Sequence, residues 1–163
     1  MTRFTLREAA GIDSRFLGDM LVEAHNWAPS RSQARVDLLA DPLTQRYVAG
    51  WQRPGDAGMI AEDAAGHPIG AAWYRLFPSH APGFGFVAAG VPEITIGVTP
   101  IWRAQGVGRE VLHAVLAQAR TGGFSRVSLN VDRANHAHRL YVSEGFHTVL
   151  SGPESDVMVR ILG

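Results

Sequence analysis

At 163 residues, with 46% hydrophobic and 18% charged residues, the chain is long enough for one domain with its own hydrophobic core. Its 15 basic and 15 acidic residues cancel, so the cationic excess that tight nucleic-acid binding needs is missing and no nucleic-acid partner is expected. No cysteine is present, which excludes disulfides, thiolate metal sites and a cysteine nucleophile.

Thr2 to Arg7 alternates apolar and polar side chains and predicts a first strand. This start carries Arg3, Arg7 and Glu8 and does not read as a secretory signal. Asp13 opens a helix in which Phe16, Leu17, Met20, Leu21 and Ala24 recur at helical spacing as far as Trp27. Ser32 to Trp51 predicts helix in two pieces, interrupted at Asp41-Pro42. Met59 to Glu62 and Pro68 to Leu76 predict a hairpin turned by Ala64-Ala65-Gly66. Residues 77–92, with three prolines and three glycines among their aromatics, predict a loop.

Glu93 to Val98 predicts a strand rich in β-branched residues. From Gly106 a strong helix follows, with Val107, Val111, Leu112, Val115, Leu116 and Ala119 on one stripe, and it stops at Gly122-Gly123. Arg126 to Val131 predicts a strand, Asn135 to Gly145 a helix, and Phe146 to Leu150 and Asp156 to Leu162 two closing strands. The order of elements predicts an α/β or α+β fold as one domain over residues 1–163. No stretch approaches the roughly 18–20 apolar residues of a membrane span, so no membrane partner is expected and a cytoplasmic location fits.

Chemistry concentrates in Glu93 to Gly108. A strand runs into a helix through Gly106 and Gly108, and glycine lets backbone approach a ligand closely. The first helical turn offers unpaired N–H groups and the positive end of the helix dipole, a setting suited to a pyrophosphate. Arg103 and Arg109 add positive charge nearby. A Gly-Lys-Ser/Thr sequence is absent, so this is not a P-loop, and the third glycine of a dinucleotide fingerprint is missing.

The pattern Arg103-x-x-Gly106-x-Gly108 resembles the acetyl-CoA signature of the GNAT superfamily of N-acetyltransferases. Ser128 to Asp132, then Asn135 to Tyr141, then Glu144-Gly145-Phe146 is similar to that superfamily's second motif. The resemblance is carried by Glu93 to about Leu150; over residues 2–76 only the order of elements agrees. It implies a mixed, mostly antiparallel sheet of about six to seven strands flanked by helices, with a splayed parallel strand pair holding the cofactor. It implies acetyl-CoA as co-substrate, with the pantetheine arm bonded near Ile96 and Val98. Gln105, Gly106, Val107 and Gly108 would hold the pyrophosphate, beside Arg103 and Arg109. Asn135 would touch the cofactor arm, although asparagine at a helix start is also a favoured cap.

On this resemblance Tyr141 is the candidate general acid, protonating the departing thiolate. Glu93 is the candidate general base, because a protonated amine cannot attack; His80 is the next choice. Trp27, Trp73 and Phe84 are substrate-side candidates from an aromatic set that also holds Trp51, Tyr74, Phe77 and Phe86, although core packing explains Trp27 or Trp73 taken singly. No acidic cluster lines those segments, so a polycationic acceptor is not expected. His136 and His138 lie two apart and share no helix face, so no metal is expected. The implied activity is transfer of an acetyl group to a primary amine of a small molecule by direct attack. A protein N-terminus or lysine as acceptor, a non-catalytic acyl-CoA sensor, a longer acyl donor and a homodimer all remain open at this point.

Overall fold

A computed structural model describes residues 3–163. Seven strands form one sheet in the order β1-β2-β3-β4-β5-β7-β6. They are β1 (Phe4–Glu8), β2 (Ala57–Asp63), β3 (Pro68–Arg75), β4 (Glu93–Val98), β5 (Arg126–Asp132), β6 (His147–Ser151) and β7 (Ser155–Ile161). Every neighbouring pair is antiparallel except β4 and β5, which run parallel. The expected mixed, mostly antiparallel sheet with one parallel pair is therefore what the chain forms. The predicted first strand begins at Phe4 instead; Thr2 lies outside the described residues.

Helices cover both faces. On one side lie α1 (Ser14–His25), α2 (Arg35–Ala40) and α3 (Pro42–Gln45); on the other lies α4 (Val107–Thr121), with α5 (Ala137–Ser143) beside β5. The predicted break at Asp41-Pro42 separates α2 from α3, because Pro42 has no N–H to continue a helix and Asp41 caps the next one by accepting from Leu43 N. The second piece is shorter than expected: beyond Gln45 the chain turns instead of continuing to Trp51.

Alternation along the strands divides the core in two. Ala72 and Tyr74 of β3 face α4, where Val111, Leu112 and Val115 are fully buried against Ile94, Leu129 and Met158. Ala71 and Trp73 face α1, against Leu17, Met20 and Leu21. Each of the buried Val, Leu, Ile and Met side chains among these contributes about 1.5–3 kcal/mol by leaving water. These two layers clamp β4 and so set the place of the parallel pair.

Candidate active site

β4 and β5 meet only at the first residue of β4 and the third of β5. Glu93 and Ser128 are the one pair of partners across them, and beyond that point the strands diverge. Ser128 N donates to Pro92 O on the β5 side (3.0 Å), while Thr99 N donates to Ile69 O on the β3 side (2.9 Å). Backbone groups alternate in direction along an extended strand, so those of Ile94, Ile96 and Val98 face the opening. The opening is part of a cleft of about 650 Å³ whose lining includes Ile96, Val98, Gly108, Asn130, Leu140 and Tyr141. A splayed edge of this kind offers peptide N–H and C=O groups to an extended ligand.

At the top of β4 the chain turns through Pro100–Trp102 into α4. Ala104 (φ 60°) and Gly106 (φ 87°) both take the left-handed conformation, which curls the intervening peptides inward. Gly106 is suited to this because it has no Cβ. None of the N–H groups from Ala104 to Arg109 has a hydrogen-bond partner among the described residues; Glu110 N, bonded to Gly106 O at 3.1 Å, is the first that does. Six consecutive donors at the start of a 15-residue helix form an anion cradle.

The flanking side chains are engaged elsewhere. Arg103 binds Glu23 at 2.7 Å, Arg109 binds Glu144, and Gln105 accepts from Arg3 while donating to Ile101 O. The positive character of the cradle therefore comes chiefly from backbone dipoles, and the cationic contribution expected of Arg103 and Arg109 is offset by their carboxylate partners.

Tyr141 and Glu93, the sequence's candidate acid and base, both line the cleft. Tyr141, on α5, is 8% exposed, and its phenol makes no hydrogen bond within the described residues. Burial pushes its phenol well above the ordinary tyrosine value, so it keeps its proton. Glu93, at the closed end of the fork, is only 3% exposed. Burial raises its pKa to about 7, against the opposing pull of the Tyr47 hydroxyl and the Gly85 amide. Its Oε2 accepts from Tyr47, and its Oε1 is buried with no well-formed partner, as is Oγ of the laterally paired Ser128. Buried polar atoms left in this way are uncommon and mark a place where water or a ligand group completes the bonding.

A model of the acetyltransferase (GNAT) family matches residues 20–146. The chain belongs to that family. It is 35% identical over 129 residues to a mycothiol acetyltransferase of Nocardiopsis dassonvillei, covering 74% of this chain and 38% of the relative. A mycothiol acetyltransferase of Saccharomonospora viridis is 30% identical, with coverage of 82% and 41%. The chain thus spans about two fifths of the length of these relatives. Among solved structures, the PaiA N-acetyltransferase of Thermoplasma acidophilum in complex with coenzyme A superposes with a TM-score of 0.71 at 15% identity, over 99% of both chains.

The aromatic candidates from the sequence fall in different places. Trp27 lines the cleft and donates from Nε1 to Asp132 at 2.9 Å. Phe84 also lines it and is 48% exposed. Trp73 does not: it is 1% exposed beneath α1, and its Nε1 donates to Tyr47 O at 3.1 Å, so packing accounts for it. Tyr74 and Phe77 are likewise core residues. His80 is exposed in the loop. Asn135 lines the cleft just before α5, and its Oδ1 accepts from Ala137 N at 2.9 Å, leaving its amide nitrogen free for another acceptor.

Sequence reasoning missed Tyr47, Asp132 and His25 in the cleft wall. Burial lowers the His25 pKa, against the nearby Asp132 carboxylate, so the imidazole stays neutral at physiological pH. Asp132 shared an alternating stretch with Ser128 and Asn130, one face of a strand, and that pattern was the available signal. Tyr47 left no trace in spacing. Among the described residues, no helix is long and apolar enough to cross a membrane and no group of three or more His, Asp or Glu residues is placed to hold a metal.

Proposed function

We propose that the chain is an acetyl-CoA-dependent N-acetyltransferase acting on the amine of a small-molecule acceptor within a ternary complex. The observation that carries this is the continuity of the fork: free strand-edge peptides at Ile96 and Val98 lead into six unpaired N–H groups at 104–109. A pantetheine arm fits the first and a pyrophosphate the second. Gly108 keeps the cleft wall low where the two meet, since a Cβ there would face Val98 and Leu140 across the groove. That the curated relatives are named mycothiol acetyltransferases supports a small-molecule acceptor.

Acetyl-CoA would supply an activated thioester. Glu93 takes the proton of the incoming ammonium through water, because its carboxylate sits at the cleft floor with little exposure. Tyr141 holds a proton for the departing sulfur. Trp27 and Phe84 flank the acceptor, and Asp132 and Asn130 offer it hydrogen bonds from one face of β5.

The decisive experiment is thiol release from acetyl-CoA with an amine panel headed by the acceptor of the mycothiol acetyltransferases. Release with at least one amine supports transfer; calorimetric binding of acetyl-CoA without release across the panel would point to a sensor instead. Tyr141→Phe is expected to reduce kcat about 10-fold to 100-fold with little change in KM for acetyl-CoA. The loss is modest for an acid catalyst because a thiol of ordinary pKa, about 8.5, departs with little help. An unchanged kcat would remove Tyr141 from that role.

A further inference from the structure

We infer that Tyr47 is a positioning residue for Glu93, held in place by two side chains of β3, and that its hydroxyl sets the pH at which the carboxylate becomes available. The inference rests on Glu93 being the base, as proposed above.

Tyr47 lies in the turn after α3, far from β4 in sequence. Its hydroxyl donates to Glu93 Oε2 and accepts from Phe84 N at 2.7 Å. With its one proton given to the carboxylate and its oxygen receiving an amide, the phenol is locked in one direction. Its ring is held by stacking on Phe84 (6.2 Å, 15°) and by an edge contact to Phe77 (5.0 Å, 64°).

The backbone carrying Tyr47 is held as tightly. Trp73 and Arg75 are two apart on β3 and share a face. Trp73 Nε1 donates to Tyr47 O at 3.1 Å, and Arg75 NH1 donates to Arg46 O at 2.8 Å and Ala49 O at 2.6 Å. Three carbonyls of one short turn are thus tied to the strand next to β4, and Arg75 is itself the partner of Glu93 across the β3–β4 pair. The device sets the carboxylate's direction while leaving Oε1 without a well-formed partner.

Other charged groups around Glu93 are committed elsewhere. Arg75 directs its Nε and NH2 to Asp56, and Arg46 directs its guanidinium to the carbonyls of Pro42 and Pro82. Glu23 of α1 is paired with Arg103, His25 of α1 favours its neutral form, and His80 of the covering loop is exposed. Ser128 on β5 is uncharged. The Tyr47 hydroxyl is therefore the principal donor favouring the Glu93 anion, and removing it favours the protonated carboxyl.

The test compares the acid limb of kcat/KM for acceptor in the parent chain, Tyr47→Phe and Glu93→Gln. Tyr47→Phe is expected to move the limb up by about one pH unit, giving about a fivefold loss at pH 7, approaching tenfold at pH 6 and below, and recovery toward the parent rate by pH 9, with KM for acetyl-CoA unchanged. A merely structural role would lower the rate equally at all pH values, and that result, or an unmoved limb, overturns the inference. Infrared difference titration of the Glu93 carboxyl, identified by its loss in Glu93→Gln, reads the same shift without turnover; identical midpoints in the parent and Tyr47→Phe would also overturn it. If Glu93→Gln keeps the parent's limb, the base assignment itself fails; if it loses the limb while Tyr47→Phe does not move it, only the role of Tyr47 fails.

Discussion

Glu93→Gln is expected to lower kcat/KM for the acceptor by about 10²–10⁴-fold and to abolish its rise with a midpoint near pH 7. The reasoning begins with desolvation. A carboxylate enclosed by the loop at residues 83–86, Tyr47 and β5 has lost most of its water, so the charged form is disfavoured and the group titrates near neutrality. A base of pKa about 7 is well matched to drawing a proton from an amine at physiological pH, whereas an exposed glutamate would be too weak. The stability of the variant provides an independent check. Because the folded pKa lies above the ordinary value of 4.5, stability falls as pH rises between 4.5 and about 7, where the folded state must surrender a proton that the unfolded state has already lost. Glutamine carries no such charge, so the variant is expected to have a higher urea midpoint than the parent at pH 8 and to lose that advantage below pH 5. Equal or lower stability at pH 8 would mean that the carboxylate is not under desolvation stress.

Asp56→Ala is expected to destabilise the protein by about 3–5 kcal/mol, read as a lower urea midpoint with little change in slope. Arg75 is 1% exposed, and Asp56 receives its guanidinium through two hydrogen bonds, at 3.0 and 2.7 Å. Removing the carboxylate leaves a buried cation with only two carbonyls as partners. It also frees Arg53 N, which donates to Asp56 Oδ2 at 2.7 Å, so the turn from Arg46 to Asp56 loosens at both ends. The double variant Asp56→Leu/Arg75→Met is expected to recover part of the loss, because the unpaired charge is gone. A loss below about 1 kcal/mol in Asp56→Ala would show that the cation finds water or another partner. Because that turn carries Tyr47, the single variant should also lose more activity than its folded fraction explains.

The candidate site was legible where chemistry is local. Gly106 and Gly108 before an amphipathic helix point to unpaired N–H groups whatever surrounds them, since a helix cannot satisfy its own first turn. Tyr141 and Asn135 followed from a second stretch of motif. Trp73 shows where local reading stops: an aromatic in a strand looks the same whether it faces a ligand or a core, and only its place beneath α1 settles the matter. Arg103 and Arg109 show the same limit for charge, since Glu23 and Glu144, which occupy them, lie 80 and 35 residues away.

By itself the amino-acid order determined the alternation of strands and helices, the break at Asp41-Pro42 and the helix-initiating turn at 104–108, because each follows from hydrophobic period, missing donors or backbone freedom within a few residues. Only the tertiary structure decided that β4 and β5 separate past Glu93 and that Tyr47 meets Glu93, 46 positions further along the chain. It also decided that Glu93 loses its water, because burial is a property of everything packed around a side chain and no pattern along the chain encodes it.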